Sequence, residues 1–143
     1  MRFMMIMYPG AKAEVPGHMP EEKDIAAMMK YNEELTRSGV LLSLDGLHPT
    51  AAGARVRYQG GKATVTDGPF TEAKEVVGGF WMIQVKSKEE AVEWARKIPA
   101  GDGEMVELRR VFEMSDFSID PASEINKQVE TVEAGLKAAK AKA

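Results

Sequence analysis

The chain has 143 residues, of which 44% are hydrophobic and 29% charged, with no cysteine, two histidines and a formal net charge of −3. The absence of cysteine excludes a disulfide framework, a thiolate metal site and a cysteine nucleophile. The near balance of 19 basic and 22 acidic residues lacks the basic field that drives nucleic-acid binding. Apolar runs fall short of the roughly 20 residues of a membrane span, and the N-terminus does not resemble a signal peptide, so we expect a soluble, cytoplasmic protein.

The first forty-odd residues predict a strand, a helix and a second strand. The continuous apolar run Phe3–Tyr8 predicts a strand covered on both faces. A helix is predicted from Pro20, which suits the first helical position, to Gly39, which ends it. Its apolar face is expected to comprise Ile25, Met28, Met29 and Leu35. The second strand is Val40–Leu44.

The middle of the chain predicts a β-hairpin. Two strand-like segments, Arg55–Tyr58 and Lys62–Thr66, flank the turn Gln59–Gly61. Arginines alternate with apolar residues in the first segment, which is typical of a hairpin with one covered and one wet face.

The second half repeats the strand–helix–strand order. The segment Gly78–Val85 predicts a strand with Trp81, Ile83 and Val85 on one face and Phe80 and Met82 on the other. Ser87 and Glu90 form a capping box for the next helix. The buried face of that helix is expected to comprise Ala91, Trp94, Ala95 and Ile98. A last strand spans Met105–Phe112.

This order predicts an α+β fold, a ferredoxin-like βαβ-βαβ sandwich with an inserted hairpin. The helices cover one sheet face, so apolar residues on the other face predict a homodimer with the two sheets face to face. In the remaining tail, Ile125, Val129, Val132 and Leu136 have heptad-like spacing. The tail is expected to form a helix that docks on its own domain or across the dimer, or a helix that frays.

The run Asp67–Glu75, which reads Asp-Gly-Pro-Phe-Thr-Glu-Ala-Lys-Glu, resembles the signature of the DGPF family within the YCII-related superfamily. The segments Gly46–Pro49, Arg55–Arg57, Gly78–Trp81 and Ser87–Ala91 are also similar to this family. The resemblance covers residues 1–115 and leaves 116–143 as a helical tail.

This resemblance implies a dimeric α+β barrel of ferredoxin-like subunits and no particular reaction. Members of the wider group are thought to use a His–Asp pair whose histidine lies on the first helix. The first helix of this chain has no histidine, and its notable polar aromatic residue is Tyr31. Relatives are often encoded beside, or fused to, extracytoplasmic-function sigma factors, which implies a regulatory context.

Asp67 and His48 are the candidate catalytic residues. Asp67 precedes a Gly-Pro turn, where it acts either as a general base at a pocket rim or as a turn residue that accepts backbone N–H bonds. His48 follows a strand, with Asp45 three residues earlier. An imidazole beside a carboxylate suits acid–base chemistry at neutral pH, and a histidine packed in its loop is the alternative.

Five further residues are candidate ligand-binding residues: Tyr31, Arg57, Glu72, Lys74 and Trp81. Arg55 and Arg57 lie two apart on one strand, either to clamp an anion or as the wet face of the hairpin. The charges of Glu72 and Lys74 either bind a polar substrate or are solvated loop charges. The two histidines have no metal-ligand spacing, so we expect neither a metal nor a cofactor.

Three functional hypotheses follow from these residues. In the first, a cleft between sheet and helices binds a small molecule and performs general acid–base chemistry. In the second, the pocket binds without reacting, in a ligand-sensing or interaction module linked to sigma-factor regulation. The third is a purely structural dimer.

Overall fold

The structure, a computed structural model, describes residues 1–70 and 75–143. These residues include six strands: β1 (Arg2–Tyr8), β2 (Leu41–Gly46), β3 (Ala54–Gln59), β4 (Lys62–Asp67), β5 (Gly79–Gln84) and β6 (Met105–Arg110). The helices are α1 (Glu22–Ser38), α2 (Lys88–Arg96) and α3 (Glu124–Lys142), with short 3-10 turns at Ala11–Glu14, Thr50–Ala52 and Met114–Asp116. The chain forms two compact units, residues 1–111 and 112–143. Among the described helices, none combines the length and the apolar character needed to span a membrane.

The main sheet has the strand order β2-β5-β1-β6, and all neighbouring strands are antiparallel. Each strand–helix–strand half of the chain leaves a gap in the sheet that a strand of the other half fills. This arrangement confirms the predicted α+β, ferredoxin-like fold with an inserted hairpin. The hairpin, β3 paired with β4, forms a separate two-stranded sheet.

The register of β1 and β5 sorts their residues onto two faces. Phe3 lies opposite Ile83 and Met5 opposite Trp81, and all four side chains are buried against the helices. These residues form the core of the first unit together with Met7, Tyr31, Leu35, Val85, Ala91 and Ile98. The other face carries Met4, Ile6, Phe80 and Met82, which stay half-exposed.

The buried face of α1 differs from the prediction. Tyr31 and Leu35 are buried and Met28 packs against the core, whereas Ile25 and Met29 are 46% and 49% exposed. Positions 28, 31 and 35 also have helical spacing, so the chain buries a phenol ring in place of two smaller apolar side chains. The burial is favourable because the Tyr31 hydroxyl donates a hydrogen bond to the Trp94 carbonyl at 2.8 Å.

Two adjacent glycines bring β5 close to its neighbours. A Cβ on Gly79 would lie 2.8 Å from the Asp45 carbonyl oxygen of β2, and one on Gly78 would lie 2.6 Å from Pro9. The backbone at Gly78 links both sides, because its N–H donates to the Met7 carbonyl and its carbonyl accepts from the Leu47 N–H. The paired glycines therefore fix where the loop after β2 leaves the sheet.

The hairpin is more exposed than predicted. Val56 and Val65 face each other across the strands, yet they are 46% and 64% exposed, and Tyr58 is 81% exposed. The expectation that one hairpin face is covered is therefore wrong for the described residues. Only Arg55 on β3 is half-buried, and it lies where the hairpin meets the loop after β2.

The second unit contains α3, which confirms the predicted helical tail. The Ser123 hydroxyl caps the helix by accepting a hydrogen bond from the Ile125 N–H at 3.2 Å. The heptad-spaced Ile125, Val132 and Leu136 are 47%, 61% and 60% exposed. Before the helix, the rings of Phe112 and Phe117 lie 5.0 Å apart.

Replacing Tyr31 by Phe is expected to lower the free energy of unfolding by about 1 kcal/mol at neutral pH, because one hydrogen bond is lost. Burial, with a smaller contribution from the Glu34 carboxylate, raises the pKa of Tyr31 well above its ordinary value of 10. The folded chain thus holds the phenol proton more tightly than the unfolded chain. The stability that depends on this proton is complete below about pH 10 and falls as the pH rises further.

Chemical denaturation between pH 7 and pH 11 measures both effects. Tyr31→Phe should lose part of the alkaline decrease in stability seen in the unsubstituted chain. Tyr58→Phe is the matched control, because its side chain is 81% exposed, and should change stability by less than about 0.5 kcal/mol. An unchanged alkaline slope in Tyr31→Phe would contradict the assignment of this slope to Tyr31.

Candidate functional site

A cleft of about 420 Å³ opens where the loop after β2 meets the start of β3. Its lining comprises residues 47–50, 52–55, 70 and 75–77. The apolar part of this lining includes Leu47, Pro49, Val76 and Val77, and the charged or titratable part is His48, Arg55 and Glu75. The cleft lies beside the hairpin, so the expectation of a cleft between sheet and helices is not met here.

A second depression, of about 470 Å³, runs along the surface of α1. It is formed by one helix alone, through Met29, Asn32, Glu33, Thr36 and Arg37. Its polar groups are engaged: the Asn32 Oδ1 atom accepts from the Trp81 indole N–H at 2.8 Å, and Arg37 lies 3.9 Å from Glu33. A surface made by one helix encloses little of a ligand, so the cleft at His48 is the candidate site.

A hydrogen-bond network holds the floor of the cleft. The Thr50 hydroxyl donates to one oxygen of the Glu14 carboxylate at 2.6 Å, and the Thr50 N–H donates to the other at 3.0 Å. The same hydroxyl accepts from the Phe70 N–H at 3.3 Å. Glu14 follows β1 and Phe70 follows β4, so the network joins three separate loops around Thr50.

Gly68 brings the Asp-Gly-Pro-Phe segment against this floor. Its N–H donates to the Gly53 carbonyl at 2.9 Å, and the peptide bond to Pro69 is cis. A Cβ atom on Gly68 would lie 1.7 Å from the Thr50 carbonyl oxygen, which leaves no space for any side chain. The glycine of this segment is therefore required by a close backbone approach.

Arg55 is held over an aromatic ring at the edge of the cleft. Its guanidinium carbon lies 4.0 Å from the centroid of the Phe70 ring, a cation–π geometry. His48 and Glu75 line the same cleft and are exposed. Over residues 1–70 and 75–143, none of the ion pairs involves Arg55 or Glu75.

The predicted catalytic residues are not brought together as a pair. Asp67 is the last residue of β4, opposite Ala54, and it is exposed. It does not line the cleft that contains His48. In the part of the chain that the structure describes, no hydrogen bond joins His48 to Asp67 or to Asp45.

The five predicted ligand-binding residues have three different outcomes. Tyr31 and Trp81 are core residues, 4% and 6% exposed, whose rings meet edge to face at 6.0 Å, and neither lines the cleft. Arg57 is exposed and lies outside the cleft, whereas its neighbour Arg55 lines it. Glu72 and Lys74 lie outside the described residues.

The comparison with protein families agrees with this fold. A model of the YCII-related domain matches residues 1–115, which is most of the chain. The chain belongs to the YCII-related domain family. The match includes every residue that lines the cleft.

One relative of this YCII-related chain is an uncharacterised protein of Rhizobium meliloti. The two are 37% identical over 76 residues, which is 53% of this chain. The alignment covers 59% of the relative, so it spans less than two thirds of that protein.

Sequence reasoning missed Glu14 and Thr50, the centre of the network beneath the cleft. They lie 36 residues apart in the chain, and no local pattern links a carboxylate in one loop to a threonine in another. Within residues 1–70 and 75–143, no cluster of three or more His, Cys, Asp or Glu side chains is arranged to hold a metal ion. Of the lining residues that the structure describes, His48, Arg55 and Glu75 supply an imidazole, a guanidinium and a carboxylate for chemistry in the cleft.

Gly68→Ala is expected to destabilise the YCII-related domain by about 1–3 kcal/mol, because the new methyl group would displace the Thr50 carbonyl. Gly46→Ala is the matched control: nothing lies within 4 Å of its Cβ position and its backbone does not require glycine. Urea denaturation measures both variants. Equal stability of the two would show that the segment moves away from Thr50 without cost.

Proposed function

We propose that this YCII-related domain binds a small organic molecule in the cleft lined by His48, Arg55 and Glu75. The observation that supports this most directly is the guanidinium of Arg55, held over the Phe70 ring at the edge of a cleft of about 420 Å³. Small-molecule sites typically combine a volume of this size with apolar walls and a few placed polar groups. Leu47, Val76 and Val77 supply such walls.

Binding without reaction is the version that the geometry favours. A histidine that acts as a general base is usually oriented by a carboxylate hydrogen-bonded to its other ring nitrogen. For His48, no such hydrogen bond is found among the described residues. This favours a ligand-sensing or interaction module, and the resemblance to relatives encoded beside sigma factors suggests a regulatory role for the bound molecule.

General acid–base catalysis is the second candidate, and one observation favours it. His48 and Glu75 line the same cleft, so a bound substrate would meet an imidazole and a carboxylate together. In this version Glu75 takes the place that we predicted for Asp67, because Asp67 lies outside the cleft.

A thermal-shift screen against a library of metabolites tests the proposed binding. A ligand at about 100 times its Kd stabilises the folded chain by about 2.7 kcal/mol, which raises Tm by several degrees. We expect the shift to be lost in Ala52→Trp, because Ala52 lines the cleft and an indole would fill it. His48→Ala should reduce the shift.

Ala63→Trp is the control for this screen. Ala63 is an exposed residue of β4 outside the cleft, so its substitution should leave the shifts unchanged. A screen without hits, or hits that survive in Ala52→Trp, would contradict binding in this cleft. Release of a modified compound from any hit, followed by mass spectrometry, distinguishes catalysis from binding.

We also propose that two copies of the chain pair through the sheet face opposite the helices. The half-exposed Met4, Ile6, Phe80 and Met82 form the apolar centre of this face. Glu107 and Arg109 of β6 flank this centre on the same face, opposite Ile6 and Met4. A two-fold axis through the apolar centre places the same surface on both copies, and opposite charges at its edge suit such self-pairing.

Light scattering coupled to size-exclusion chromatography tests the dimer. At micromolar concentration the unsubstituted chain should have twice the monomer mass, and Met82→Lys should be a monomer because it places a charge in the apolar centre. Met19→Lys is the control, since Met19 is 75% exposed in a loop. A monomeric unsubstituted chain would contradict the proposal, and circular dichroism verifies that each variant is folded.

A further inference from the structure

We propose that the ligand of the cleft is a small monocarboxylate with an apolar body, and that Arg55 binds its carboxylate. This inference rests on the proposed function and adds the chemical class of the ligand. Among the described residues of the lining, Arg55 and Glu75 carry charged side chains, and Arg55 is the half-buried one of the two.

The contact with the Phe70 ring prepares the Arg55 guanidinium for binding an anion. The guanidinium carbon lies 4.0 Å from the centroid of the Phe70 ring, so the ring holds the guanidinium at the edge of the cleft. A guanidinium held against a ring has less freedom to move than an extended surface arginine, so less entropy is lost when it binds. Its parallel N–H groups match the two oxygens of a carboxylate.

Comparing Arg57 with Arg55 shows what the Phe70 ring and the cleft contribute to the proposed binding of a carboxylate. It lies on the same strand face two residues later, opposite Thr64, but it is exposed and outside the cleft. The two arginines have the same side chain and the same strand, and they differ in the aromatic ring and the cleft. Arg57 is therefore a natural reference for the binding role of Arg55.

The Glu14 carboxylate beneath the cleft accepts hydrogen bonds from Thr50 and does not pair with Arg55. Both oxygens of Glu14 accept hydrogen bonds from Thr50, which in turn accepts from the Phe70 N–H. The Glu14 carboxylate therefore stabilises Thr50, which in turn holds the backbone of Phe70. Across the described residues, no ion pair neutralises Arg55.

The charge balance of the lining favours a carboxylate over a phosphate. Among the described lining residues, the cation Arg55 shares the cleft with the carboxylate of Glu75. A phosphate dianion brings two negative charges close to this like charge and a monocarboxylate brings one, so the repulsion from Glu75 is stronger for phosphate. The apolar body of the ligand would lie against Leu47, Val76 and Val77, of which Leu47 is 51% and Val77 38% exposed.

Titrations of the ¹⁵N-labelled full chain, followed by NMR, test this inference with three probes: benzoate, benzamide and inorganic phosphate. Benzoate and benzamide share their shape and differ in charge. We expect benzoate to shift the amide signals of residues 47–55 and 75–77, and to bind about tenfold more tightly than benzamide or phosphate. Benzamide binding as tightly as benzoate, or phosphate binding more tightly, would overturn the inference.

Arg55→Gln and Arg57→Gln give the matched pair of variants. Arg55→Gln should weaken benzoate binding about tenfold and leave benzamide binding within about twofold, because the variant removes the charge and retains hydrogen-bond donors. Arg57→Gln should change benzoate binding by less than about twofold. Equal losses in the two variants would overturn the role of Arg55.

The library screen separates this inference from the proposed function. Neutral compounds that bind in the unsubstituted chain and in Arg55→Gln, and fail to bind in Ala52→Trp, would overturn the carboxylate and leave the binding function intact. No compound of any class binding in the cleft would overturn both.

Discussion

The close approach of Gly68 to the Thr50 carbonyl is the constraint on which the cleft depends. At a Cβ–oxygen distance of 1.7 Å, no side chain fits, and the two backbones are held together by the Gly68 N–H on the Gly53 carbonyl. Thr50 in turn binds Glu14 and Phe70 through the same few atoms. These contacts between the loops determine the position of the Phe70 ring and therefore of the Arg55 guanidinium above it.

The main sheet positions the other wall of the cleft. Gly78 and Gly79 let β5 approach both Pro9 and β2, and the Leu47 N–H donates to the Gly78 carbonyl at 2.9 Å. Residues 47–50 and 75–77 therefore begin from a common, hydrogen-bonded point at the end of the sheet. A binding site with few polar groups depends on such support from a rigid element of the fold.

The fold could be predicted from the sequence because its signals are local. The Ser87 cap, the glycine that ends α1 and the alternation in β5 each depend on residues within one element, and the order of elements then restricts the topology.

The site could be predicted only in part. His48 lines the cleft, but the arginine that lines it is Arg55 and not Arg57. Arg55 and Arg57 occupy equivalent positions on one strand face. The contact of Arg55 with Phe70 joins residues 15 apart in the chain, and no periodicity of the sequence encodes it.

Tyr31 and Trp81 are a second case in which the residue types alone did not identify the site. An aromatic residue with a polar atom suits a ligand site and a core equally well by type, and the neighbours decide between them. Here the Tyr31 hydroxyl donates to Trp94 and the Trp81 indole donates to Asn32, so both polar atoms are used within the fold. In this chain Tyr31 of the first helix therefore contributes stability, whereas Arg55, the half-buried arginine of the cleft, lies on the hairpin. Because the core and the cleft use different residues, substitutions in the cleft can alter ligand binding while the core that supports it stays intact.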